Sequence, residues 1–163
     1  MAVRWAALGL YLGLIGCAEV DAESCVETGA YVDVDTASHR LYLCEGQITQ
    51  DSYRVRLGVG GTGKSKEGDR KTPLGTYSLD PARASTKYGQ FAPIGYPTAE
   101  QRAAGFTGTA VGVHGPDRRY TWLGSAINWL DTTDGCIGLA TDEEMTRVAT
   151  WIDAHAVTQI AIR

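Results

Sequence analysis

Alternation constrains this chain more than any other feature it has. AYVDVD, Ala30 to Asp35, and HRLYLCE, His39 to Glu45, interleave apolar and polar residues and are separated by a few polar positions. Period-two patterning puts successive side chains on opposite faces, so each run reads as a strand and the two together as a hairpin. A turn at Glu45 to Gln47 leads into a third strand across ITQDSYRVRLGVG, then a loop from Gly60 to Lys71 and a strand at TPLGTYSLD. Pro81 to Gly108 reads as irregular. GTAVGVHG is a strand that delivers His114 at its end, WLGSAINWL is a short helix, and VTQIAIR closes the chain as a strand. One longer helix is expected at DEEMTRVATWIDAHA, capped by Thr141 or Asp142, with Met145, Val148, Ala149 and Ile152 at helical spacing. With 20 glycines punctuating short runs, the expectation is a mainly β domain with one or two helices.

The first residues set the compartment. MAVR carries one cation, and the apolar run WAALGLYLGLIG stops at Cys17. At about twelve residues it is short of the ~20 that span a bilayer, and it suits a signal-peptide core. LIGC resembles a bacterial lipobox, which implies cleavage before Cys17 and lipidation of its thiol; the alternative is an ordinary secretory signal. The chain then divides into a signal (1–16), a lipidated N-terminus and tether (17–28) and one domain (29–163), a length sufficient for a single core. Ala18 stands where an aspartate would favour inner-membrane retention in some bacteria, so the expected location is the periplasmic side of the envelope, at the outer membrane. The formal charge is −4, with no basic stripe or interleaved aromatics, which argues against nucleic acid as a partner. A monomer is expected.

An exported chain permits disulfides. Cys25 lies just before the first strand and Cys44 ends the second, so a Cys25–Cys44 bridge would tie the start of the domain to its hairpin; two unpaired thiols are the alternative. If the pair forms, Cys136 is left over, as a nucleophile or as packing. GVGGTGKS, Gly58 to Ser65, satisfies both the P-loop and the dinucleotide glycine patterns. Both work only where a helix begins at once, so that its free N–H groups face phosphate. Here Gly68, Pro73 and Gly75 follow, and the run reads as a flexible glycine-rich loop. No Cys/His spacing suggests zinc, His39 and His155 do not read as ligand or base, and no cofactor is expected.

RLYLCEGQITQDSYRVRLGVGGTGKSKEGDRKTPLGTYSL, above all GDRKTPLGTY, resembles the N-terminal half of an L,D-transpeptidase catalytic domain, the YkuD family. VHG at Val113 to Gly115 and TDGCIGL at Thr133 to Leu139 resemble its HG and its later Ser/Thr-HGC motif. The resemblance runs from about Ala30 to Arg163. Asp134 replaces the histidine of HGC, Gly138 stands where Arg or Asn is common, and His114 and Cys136 are further apart than usual. These departures resemble the YafK-type branch, whose motif often reads W-T-x-G-C-I, here with three extra residues after Trp129.

A free thiol is only about a few per cent thiolate at neutral pH, and an adjacent imidazole that takes its proton makes the attacking ion pair. Cys136 and His114 can supply that pair. Gly135 would let the backbone turn tightly, leaving the N–H groups of Gly135 and Cys136 to hold an oxyanion. The resemblance further implies that the Gly115 carbonyl orients the His114 ring and that Thr133 is the motif's Ser or Thr. It implies acyl transfer on peptidoglycan stem peptides: Cys136 attacks a carbonyl at a diamino-acid residue, expels a terminal D-amino acid and holds a thioester for an amine or water. Alternatives are a hydrolase on the same fold and a non-catalytic wall-binding lipoprotein. Thr133, Asp134, Arg118 and Arg119 are candidate substrate contacts; Asp134 could instead bond loop amides, and the two arginines could simply be solvated.

Overall fold

The two alternating runs pair as a hairpin in the computed structural model, which describes residues 25–163. The expected signal segment and Cys17 lie outside the described residues. Strands β1 (Ala30–Asp35), β2 (Arg40–Glu45) and β3 (Ile48–Arg54) form an antiparallel meander, with Val32 opposite Leu43 and Leu41 opposite Tyr53. The chain returns to this sheet with β4 (Gly75–Ser78) and with its last strand, which lies parallel to β1 and antiparallel to β4.

A second sheet holds β5 (Arg83–Ser85), β6 (Gly89–Pro93), β7 (Gly112–His114) and β8 (Ile137–Gly138) in that order, with β7 and β8 parallel. The last strand is β9 (Gln159–Ile162), and the first sheet runs β3-β2-β1-β9-β4. One core cluster joins the inner faces. Val32, Val34 and Leu41 come from the first sheet and Ala92, Val113 and Ile137 from the second, all fully buried. Each large aliphatic side chain so buried contributes about 1.5–3 kcal/mol. Helix α2 (Asp142–Ala154) adds Met145, Val148 and Ile152 to the cluster. Thr141 is its N-cap, in a reciprocal capping box with Glu144.

A smaller cluster gathers Cys25, Tyr31, Tyr42 and Cys44. Cys25 and Cys44 are joined by a disulfide, and the Tyr31 hydroxyl accepts from the N–H groups of Val26 and Glu27, fastening the entering chain. No helix among the described residues is long and apolar enough to cross a membrane.

Three segments differ from expectation. Pro81 to Gly108 is ordered: it carries the β5–β6 hairpin and the helix α1 (Ala99–Ala103), capped by Thr98 and Gln101. Its strands are too short, and too little buried, to show a period. WLGSAINWL is a 3-10 stretch, Thr121–Trp129, broken at Gly124. The third strand ends at Arg54, beyond which Arg56 bridges Gly138 and Gly58 bridges Thr133, so the chain crosses from one sheet to the other. No helix follows Gly58 to Ser65. Instead Asp69 closes that loop, accepting from Lys64 Nζ and from the N–H groups of Ser65, Lys66 and Lys71.

Candidate active site

The β7–β8 ladder brings the two ends of the motif together. Val113 pairs with Ile137 and His114 with Gly138. Cys136 immediately precedes β8, and residues two apart along a strand share a face. Cys136 therefore falls on the His114 side of the sheet, one diagonal step away.

His114 is 2% exposed, and its Nδ1 lies 2.6 Å from the Gly115 carbonyl oxygen. A carbonyl only accepts, so Nδ1 carries the proton and Nε2 presents a lone pair. That Nε2 is buried with no partner among the described residues. Tyr88 stacks on the imidazole at 3.8 Å between ring centroids, with Phe91 next to both. Burial pushes the His114 pKa down to about 4; the Gly115 carbonyl opposes this, while Arg56 and Lys87 add to it. Burial likewise pushes the Cys136 thiol up, opposed by a hydrogen bond from Gly112, and the thiol donates to the Ala110 carbonyl at 3.5 Å. The resting pair is neutral thiol and neutral imidazole, so the ion pair must be made at the moment of attack.

The turn before Cys136 is held by Thr133, whose hydroxyl donates to the Cys136 carbonyl at 2.7 Å and accepts from the Gly135 N–H at 3.2 Å. Gly135 sits at φ 122°, and a Cβ there would stand 2.4 Å from the Lys71 carbonyl oxygen. Glycine is needed both for that conformation and for that approach. In this structure the Gly135 N–H and the buried Thr133 hydroxyl bond one another and hold the turn, and Thr133 also borders a cavity beside His114.

Two cavities meet at this pair. One, of about 290 Å³, is lined by His114, Arg56, Lys87, Asp117 and Arg119 among others. The second, of about 490 Å³, is lined by Cys136, Ala110, Lys64 and Arg70 among others. Tyr88 and Asp134 border both. Asp134 is exposed and paired with Arg70 at 2.9 Å. Arg119 reaches the first cavity, but its guanidinium is held by both Asp117 oxygens, at 3.0 and 2.7 Å, and pulls the Asp117 pKa down to about 2. Arg118 does not join the site: it pairs with Asp142 at the start of α2 and lines a separate depression with Gly89 and Thr146. Among the described residues no group of His, Cys, Asp and Glu could hold a metal ion.

Sequence reasoning missed Arg56. Its side chain is 2% exposed, makes one long bond to the Leu139 carbonyl at 3.4 Å, and has Nε and Nη1 buried without partners among the described residues. Burial lowers its pKa, with weak opposition from Tyr88, Asp117 and Glu144. Gly138 makes room for it, since a Cβ there would stand 2.6 Å from Nη2. Arg54, two residues earlier, is exposed, so alternation alone marks both as solvent-facing. Tyr88 and Lys87 were missed as well, because they lie in the segment that carries no periodic signal.

A ladder that sets a cysteine beside an oriented, buried imidazole defines a cysteine-histidine site on a two-sheet β fold. The profile of the L,D-transpeptidase catalytic domain family, YkuD, matches residues 29–161, and the chain belongs to that family. The curated Escherichia coli (strain K12) protein YafK, named as a candidate L,D-transpeptidase, is 36% identical over 80 residues, which cover 46% of this chain and 32% of YafK. Among solved structures, the helical cell shape determining protein Pgp2 from Campylobacter jejuni superposes with a TM-score of 0.68 at 23% identity, covering 88% of this chain and 51% of that one. Bdellovibrio bacteriovorus Bd1075 superposes at 0.59 and 18%, covering 84% and 48%. The fold is thus shared with proteins of which this chain spans about half the length or less.

Proposed function

We propose that this domain is a cysteine acyltransferase acting on peptidoglycan stem peptides through a thioester on Cys136. The observation that carries the reading is the His114 ring, fixed by the Gly115 carbonyl so that its only free lone pair is buried on the face it shares with Cys136. Nε2 takes the thiol proton as sulfur attacks the carbonyl carbon of a diamino-acid residue. Beside the buried imidazole the nascent thiolate and imidazolium stabilise one another. The N–H groups of Gly135 and Cys136 hold the oxyanion, Gly135 exchanging its 3.2 Å bond to Thr133 for it. The C–N bond then breaks, and the imidazolium gives its proton to the departing amine. An incoming amine, or water, loses its proton to Nε2 and attacks the thioester, which restores the thiol.

Family membership supports the reaction class. The substrate and the cell-envelope setting rest on the family, and the cell-shape function in the name of Pgp2 accords with them. A lipid anchor at Cys17 would hold a monomeric domain at the envelope's periplasmic face; a lipid-sized mass on a mature chain beginning at Cys17 tests it. For the reaction, the soluble domain is incubated with a tetrapeptide muropeptide and with a cross-linked one, and products and intact protein mass are followed. A transient adduct on Cys136, absent in Cys136→Ala and reduced in His114→Ala, is expected. Release of free acid in excess of cross-linked product would assign the hydrolase on the same fold, whereas a fully active Cys136→Ala protein would refute the mechanism.

A further inference from the structure

We propose that Arg56 is the residue that recognises the leaving residue, binding its free α-carboxylate in the His114 cavity so that a terminal residue is selected over an amidated or continued one. This rests on the acyl-transfer reading above. That chemistry requires the departing amine to take its proton from His114. His114 lines one cavity and Cys136 the other, so the acyl part belongs on the sulfur side and the leaving residue on the imidazole side. In an amino acid the carboxylate is separated from the amine nitrogen by a single carbon. Whatever recognises that carboxylate must therefore stand beside His114.

Arg56 stands there. It lines the same cavity, is 2% exposed, and has Nε and Nη1 without partners among the described residues. The neighbouring charges do not answer it: Asp117 is claimed by Arg119 through two hydrogen bonds, and Lys87, with its ammonium 4.8 Å over the Tyr88 ring, adds a second cation to the same wall. A buried guanidinium without an anion is costly, and a planar carboxylate matches its fork of donors. A peptide that continues past the leaving residue offers an amide in place of the carboxylate, and its N–H would point at N–H. The resulting preference is for a terminal residue over an internal one.

The test compares kcat/KM for a tetrapeptide donor ending in a free D-amino acid with that for its C-terminal carboxamide. The wild type should favour the acid by roughly ten- to a hundredfold, the range for a charge-assisted hydrogen bond. Arg56→Met should bring the ratio close to one and Arg56→Lys should keep part of it. Arg56→Met should fold, because exchanging a buried charge for an apolar side chain of similar volume is often neutral or stabilising, and a thermal melt checks this. A second arm measures binding of the same two peptides by calorimetry to Cys136→Ala, with and without Arg56→Met. If the wild type turns over acid and amide equally, or folded Arg56→Met keeps the wild-type ratio, the inference is overturned while acyl transfer stands. If the wild type turns over neither but Cys136→Ala prefers the acid in an Arg56-dependent way, the subsite stands and the acyl-transfer reading is what fails.

Discussion

Acidification should reveal how His114 is held. Its folded pKa of about 4 lies below the ordinary 6.5, and the cause named first is burial. Between those values the unfolded chain binds a proton that the native protein refuses, so lowering the pH favours unfolding. The contribution is fully present above pH 6.5 and is lost as pH falls toward 4. Each unit is 1.36 kcal/mol, so the interval amounts to about 3 kcal/mol. The experiment is urea denaturation of the wild type and of His114→Asn at pH 7, 6, 5 and 4. The variant will differ in absolute stability, but other titrating groups cancel in the comparison of slopes. Between pH 7 and pH 4 the wild type should lose about 3 kcal/mol more than the variant. The same neutral imidazole should keep kcat/KM from falling until well below pH 6. Parallel pH dependences for the two proteins, or a His114 titration near 6.5 by NMR, would refute the reasoning.

Gly135→Ala should cost at least about 2 kcal/mol, since alanine is strained at φ 122° and its Cβ would meet the Lys71 carbonyl. At about 3–5 °C per kcal/mol for a domain of this size a melt will show it. Turnover should fall by about a hundredfold or more through displacement of Cys136. Replacing Cys25 and Cys44 together by serine opens a bridge spanning 19 positions and should cost about 3 kcal/mol. Turnover at a temperature where that variant is folded should be unaltered, because the bridge's cluster contains no residue of the site; a large loss of kcat would show that the hairpin positions the nucleophile.

Much of this was legible because local pattern and final environment agree. β1 and β2 place Val32, Val34, Leu41 and Leu43 in the main core and Tyr31, Tyr42 and Cys44 in the smaller cluster on the other face, and the capping box of α2 is written in Thr141 and Glu144. The placement of Cys136 on the His114 side of the sheet, with the Gly115 carbonyl on the ring, was legible through a motif. What was not legible depended on distant partners. Nothing local distinguishes buried Arg56 from exposed Arg54; only the passage of the chain between sheets, against a glycine eighty residues on, separates them. Arg118 and Arg119 are adjacent and chemically alike, yet Asp142 takes one away from the site and Asp117 keeps the other in it. Thr133 matched a motif position, but its work on the turn follows from three-dimensional closure.

The paired ladder of β7 and β8 has a consequence for how such chains can change. It is only two residue pairs long, yet it, rather than the intervening segment, sets the distance between imidazole and thiol. Length can therefore be added between Gly115 and Thr133 without moving the reacting atoms. A single residue added between Ile137 and the turn at Gly135, in contrast, would send the sulfur to the opposite face of the sheet. The long connection is thus free to be rebuilt around new acceptors, while the short ladder fixes the chemistry they meet.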